Sequence, residues 1–104
     1  MNSAHYVSFE RRFNGAGLVR QLLLDAEAVG FRFKVRHGDR VDYVGARRAE
    51  AFESITAQMQ PELELIDGDG FPVGAVALDG TREGMDAVRR WCGGWITAWL
   101  RRRR

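Results

Sequence analysis

Phe31-Arg32-Phe33-Lys34-Val35-Arg36-His37-Gly38-Asp39-Arg40-Val41-Asp42-Tyr43-Val44 is the stretch on which the fold of this chain turns. Phe31, Phe33 and Val35 alternate with Arg32, Lys34 and Arg36, so one extended segment carries an apolar and a basic face. Gly38-Asp39 marks a turn, after which Val41 and Tyr43 have to join the apolar face of Phe33 and Val35. A two-residue loop would set Asp42 across from Val35. A three-residue loop over Gly38 to Arg40 sets Val35 opposite Tyr43 and Arg36 opposite Asp42, and because the buried face decides register, it is the expected one. The outer face of the hairpin is then basic, with one acidic partner.

Helices are expected on both sides. Leu18, Val19, Leu22, Leu23, Ala26 and Val29 recur at helical spacing, with Asn14 as N-cap and Gly30 as a left-handed C-terminal cap. Arg47 to Gln60 places Ala49, Phe52, Ile55, Thr56 and Met59 on one side and Glu50, Glu53 and Gln60 toward water, and Pro61 closes it. Toward the N-terminus, Tyr6 to Phe9 is expected to form a short strand. Pro61 to Ile66 fits a turn of helix or a strand. The sequel favours a strand, because Asp67-Gly68-Asp69-Gly70 is a turn and Val73 to Leu78 is an apolar run able to pair back. Beyond Asp79-Gly80, Thr81 is expected to cap a last helix with Met85, Val88, Cys92, Trp95, Ile96 and Trp99 on one face. Gly93-Gly94 interrupts that helix.

A chain of 104 residues with 45% apolar and 29% charged residues suits one small α+β domain over residues 1–104, ending in a basic tail at 101–104. Glu10, Arg11 and Arg12 stand where a signal peptide would need an apolar core, and the single Cys92 provides no disulfide framework, so a cytoplasmic setting is expected. No window is apolar enough to span a bilayer, which makes a membrane partner unlikely. The net charge of +2 hides three bands, +4 from Met1 to Ala49, −8 from Glu50 to Asp86 and +6 from Val88 onward. An acidic band through the middle opposes binding of phosphate backbones by the whole molecule.

Asp67 and Asp69 resemble the opening of a calcium loop, but Phe71, Pro72 and Leu78 occupy positions that need an oxygen ligand, a glycine and a glutamate, so a turn is expected. Gly15 and Gly17 precede a helix as in a phosphate loop, yet Arg20 replaces the third glycine of the dinucleotide pattern. Cys92 with His5 or His37 has the types of a nucleophile pair, but its apolar setting reads as a buried structural thiol. No cofactor, metal site or catalytic set follows. At helical pitch Trp91, Trp95 and Trp99 form a stripe bracketed by Arg89, Arg90, Arg101 and Arg102, either core or a second surface for a protein or a nucleic acid.

The segments Leu22-Leu23, Ala28-Val29-Gly30-Phe31, Phe33 to Val41, Gln60-Pro61-Glu62-Leu63 and Leu65-Ile66 resemble the TubC-type N-terminal docking domain of nonribosomal peptide synthetases and related small standalone proteins, over residues 17–66. The resemblance implies a helix, hairpin, helix module whose last element is helical. It also implies that the hairpin receives a short, often acidic, segment of another protein through Arg32, Lys34, Arg36 and Arg40 and the strand Val41, Asp42, Tyr43 and Val44. An edge strand with a basic face is physically suited to this. The expected function is a non-enzymatic protein-binding module, such as a small accessory or inhibitory protein of a bacterium or a mobile element. A nucleic-acid regulator using the C-terminal Trp/Arg segment is the alternative, and self-association is left open.

Overall fold

The computed structural model describes residues 12–103, so the expected strand at Tyr6 to Phe9 lies outside the described residues. In chain order the elements are α1 (Ala16–Ala28), β1 (Arg32–His37), β2 (Arg40–Gly45), α2 (Arg48–Thr56), β3 (Glu62–Ile66), β4 (Pro72–Leu78), a 3-10 turn (Gly84–Ala87), β5 (Val88–Cys92) and α3 (Gly94–Arg102). The five strands form one antiparallel sheet in the order β2-β1-β3-β4-β5. Phe33, Val35, Leu63, Leu65 and Val76 project from one face into a core completed by Val19, Leu22, Leu23 and Ala26 of α1, Ala51 and Ile55 of α2, and Ile96, Trp99 and Leu100 of α3. This is the α+β architecture expected from the apolar spacing, with two hairpins and a helix at each end of the described chain.

The hairpin reconciles two competing demands. Val35 stands opposite Tyr43 as the buried face requires, but Arg36 pairs with Val41 and His37 with Arg40, leaving a two-residue turn at Gly38-Asp39. Asp42 is the extra residue of a β-bulge between these registers. The expected three-residue loop and the Arg36–Asp42 pair are therefore corrected. Val41, expected inside, is 42% exposed. Helix α2 ends at Thr56, short of Gln60, and buries Ala51 while Ala49 is exposed. Asn14 does not cap α1: its backbone N–H donates to Gly80 O at 2.7 Å and its side-chain amide to Thr81 O at 3.2 Å, and Gly15 holds the cap position. Glu62 to Ile66 is a strand, not the helix implied by the resemblance, and it pairs with both β1 and β4.

The largest correction lies beyond Asp79. Asp79 Oδ1 accepts hydrogen bonds from the Thr81 N–H at 2.9 Å and the Thr81 hydroxyl at 2.6 Å, closing a turn where a helix cap was expected. Val88 to Cys92 then pairs with β4, and only Gly94–Arg102 is helical. Gly93 makes the switch. Its φ is +104°, and a Cβ there would lie 2.7 Å from Gly74 Cα and press on the Val73 carbonyl. At Gly74 a Cβ would meet Cys92 O at 2.9 Å and Ile96 Cδ1 at 3.1 Å, so α3 sits on β4 at glycine distance.

Helix α3 is also tied to α1. Asp25 Oδ2 accepts from Trp99 Nε1 at 2.7 Å and from Arg103 Nη2 at 2.6 Å, while Oδ1 accepts from Gln21 Nε2 at 2.9 Å. The Arg103 guanidinium lies 4.5 Å from the Trp99 ring centroid. The Trp99 hydrogen bond, joined by those from Gln21 and Arg103 and by the Arg103 charge, lowers the Asp25 pKa against the opposing effect of desolvation.

Two outcomes follow from this packing. Gly93→Ala, which combines a disfavoured φ with a backbone collision, should lower stability by about 2 kcal/mol or more, read as a fall in the urea midpoint. Because the Asp25 pKa is depressed on folding, its contribution is complete above about pH 4 and is lost as pH falls through the lowered native value. Asp25→Asn should cost about 1 kcal/mol at pH 7, and urea titrations should show that difference shrinking in strong acid.

Candidate functional site

The sheet face away from the helices is open, and its register places residues in rows. Val44, Lys34, Glu64, Ala75 and Cys92 form one row across the five strands; Val41, Arg36, Glu62, Ala77 and Arg90 form the next. The acidic band of the sequence thus enters the sheet between two basic strands. Lys34 Nζ lies 4.0 Å from Glu64 Oε1, and Arg90 Nη2 reaches across the small Ala77 to within 3.6 Å of Glu62 Oε2. Of the three cations on the outer face of the hairpin, Lys34 is consequently paired with an acid. Among the described residues, Arg32 and Arg36 make no ion pair and remain available to an incoming charge.

The expected partner-binding residues divide between the two sides of an edge. Among the described residues β2 is the last strand of the sheet, and the backbone N–H and C=O groups on its far side have no strand partner there. Val41 and Val44, 42% and 59% exposed, share the outer face with Arg32, Lys34 and Arg36. Asp42 and Tyr43 face the helix side: Asp42 Oδ2 accepts from Gln58 Nε2 at 2.6 Å, its Oδ1 accepts from Arg40 Nε at 2.8 Å, and the Tyr43 hydroxyl accepts from the Arg47 N–H at 3.0 Å. The bulge at Asp42 causes this division, since it turns two successive side chains to the same side.

A feature not read from the sequence lies under this edge. A cleft of about 450 Å³ is lined by Asp42, Tyr43, Glu50, Glu53, Ser54 and Ala57, and it adjoins another of about 580 Å³ at Asp42 and Ala57 that reaches Gln58 and Arg40. Positions 50, 53 and 54 of α2, with 57 and 58 in the turn just beyond it, follow one another at spacings of three and four. That spacing was the available signal, masked because Glu50 and Glu53 read simply as a solvated face.

The expected second surface does not form a stripe. Trp91 lies on the β5 edge and is 42% exposed, Trp95 is half-buried with its ring edge-on to Phe31 at 5.4 Å, and Trp99 is fully buried. Arg89 and Arg90 accompany Trp91 on β5, whereas Arg101 and Arg102 end α3. Cys92 is exposed, contrary to its expected burial, because it points from a strand to the open face. Among the described residues no group of three or more His, Cys, Asp or Glu side chains could hold a metal ion, and no helix is long and apolar enough to cross a membrane. Comparison with protein-family models, curated proteins and solved structures found no match.

The exposure of Cys92 gives a direct check on this arrangement. The folded protein should react with a maleimide at Cys92 at a rate on the order of that of a small-molecule thiol, without added denaturant, as followed by intact mass; a thiol protected until unfolding would return it to an apolar helix face.

Proposed function

We propose that this domain is a non-enzymatic protein-interaction module that receives an extended segment of another protein along β2. The observation that carries the proposal is the free β2 edge, where two exposed valines lie beside the unpaired cations Arg32 and Arg36. An added strand gains main-chain hydrogen bonds from the edge, and its alternate side chains meet the open sheet face on one side and the cleft beside α2 on the other. Acidic side chains on its outward positions suit Arg32, Arg36 and, after exchange with Glu64, Lys34. The role implied by the TubC-type resemblance for this hairpin is of the same kind. A small accessory or inhibitory protein would act in this way, by occupying a segment that another chain offers.

The test is affinity capture from the native host with the full chain, identification of the bound protein, and comparison of two variants. Arg32→Gln/Lys34→Gln/Arg36→Gln removes the outer charge, and Val41→Lys/Val44→Lys blocks the edge. Both alter exposed or half-buried positions, so thermal unfolding should shift little. Each should weaken partner binding about tenfold or more. A partner retained at full affinity by both variants would overturn the proposal.

A further inference from the structure

We infer that the β2 edge selects a strand whose inward-pointing side chains are cationic, with lysine or arginine at alternate positions. This rests on the reading of β2 as the strand-accepting edge and adds the chemistry of the occupant. Side chains of an added strand alternate between the two faces of the sheet. Those on the open face meet Val41, Val44 and the basic rows. Those on the other face enter the cleft between β2 and α2.

That cleft is lined by acceptors. Asp42, Glu50 and Glu53 contribute carboxylates, and among the described residues Glu53 has no cationic partner. Gln58, in the adjoining cleft, is only 9% exposed, and its Oε1 has no hydrogen-bond partner among the described residues. Its amide nitrogen is already committed to Asp42 Oδ2 at 2.6 Å and to Ser54 O at 3.1 Å, so the side chain can offer only an acceptor. The Ser54 hydroxyl is likewise buried without a partner. An ammonium with three donors or a guanidinium with five can bond several carboxylate oxygens of this cleft at once. The local cations do not fill this role: Arg40 binds Asp42 at 2.8 Å, and the largely exposed Arg47 reaches only Glu50, at 3.3 Å. An inward carboxylate would instead face Glu53, with no cationic partner among the described residues, beside Asp42 and Glu50, whose charges Arg40 and Arg47 offset.

The experiment uses two synthetic peptides of about eight residues, matched to a typical strand. Both carry glutamate at the alternate positions that face Arg32, Lys34 and Arg36; at the positions between, one has lysine and the other glutamate, so that the two differ only in the side chains turned toward the cleft. Amide hydrogen exchange of the full-length protein reports protection of β2, and calorimetry reports affinity. The expected result is protection of Arg40 to Gly45 by the lysine peptide, with affinity about tenfold or more above that of the glutamate peptide. Glu50→Gln/Glu53→Gln, which changes two exposed helix positions, should remove most of that preference. Equal protection by both peptides would overturn the inferred selectivity while leaving the edge as a strand acceptor. Protection by neither would overturn both, and an unchanged preference in the Glu50/Glu53 variant would overturn the assignment to this cleft.

Discussion

The insertion of β3 between β1 and β4 is the constraint on which the remaining structure depends. Leu63 and Leu65 are fully buried, so the alternation of this strand fixes which way Glu62 and Glu64 must point. They point to the open face, among Lys34, Arg36 and Arg90, and turn a basic hairpin surface into a ladder of alternating charge. The same pairing occupies the second side of β1. Of the strands in the first hairpin, only β2 then has an edge unpaired among the described residues, and which edge that is follows from a residue pattern about 20 positions downstream.

The strands of the first hairpin were legible from the alternation of Phe31, Phe33 and Val35 with charged residues, whereas Glu62–Ile66 also fitted a turn of helix and was read as a strand, with the apolar run after it, from the turn at Asp67 to Gly70. Register was legible for the same reason, since Val35 and Tyr43 had to share a buried face. The loop was misread. Gly38-Asp39 favours a two-residue turn, while burial of Tyr43 requires an odd offset; the chain meets both by inserting Asp42 as a bulge. No sequence rule applied to the loop alone distinguishes that solution from a longer loop. The bulge also sends Asp42 toward Gln58, so the polar groove beneath the edge depends on a backbone irregularity rather than on a residue pattern.

The C-terminal segment was misread for a different physical reason. Trp91, Trp95 and Trp99 are spaced as on a helix, but spacing cannot show that Gly93 adopts a φ of +104° and separates a strand from a helix. A second signal was present in β4. Val73 to Leu78 is apolar at nearly every position, and Gly74, Val76, Ala77 and Leu78 are all buried. A strand of that kind lies inside a sheet and needs a neighbour on each side. With β3 on one side, a further strand was required after it, and Val88 to Cys92 was the segment available. Once that strand is removed from the helix, Cys92 and Trp91 move to the surface and only Trp99 keeps the core position expected of the stripe.

The two edges of the sheet are not equivalent, which bears on what can approach them. β5 carries consecutive Arg89 and Arg90, and strand addition by another basic segment, or by a second β5, would bring like charges together. β2 reads Arg-Val-Asp-Tyr-Val-Gly and carries no such barrier. Self-pairing of β2 is opposed by the groove beneath it. In an antiparallel pair of β2 strands Val41 could meet Val44 of the other copy on the open face, but Asp42 of each copy would then be directed over the other's Glu50 and Glu53. Acid would meet acid in a partly desolvated cleft, and the acceptors of Ser54 and Gln58 would gain no donor. The carboxylates on which the proposed preference for inward cations rests would therefore also oppose pairing of β2 with a second copy of this chain.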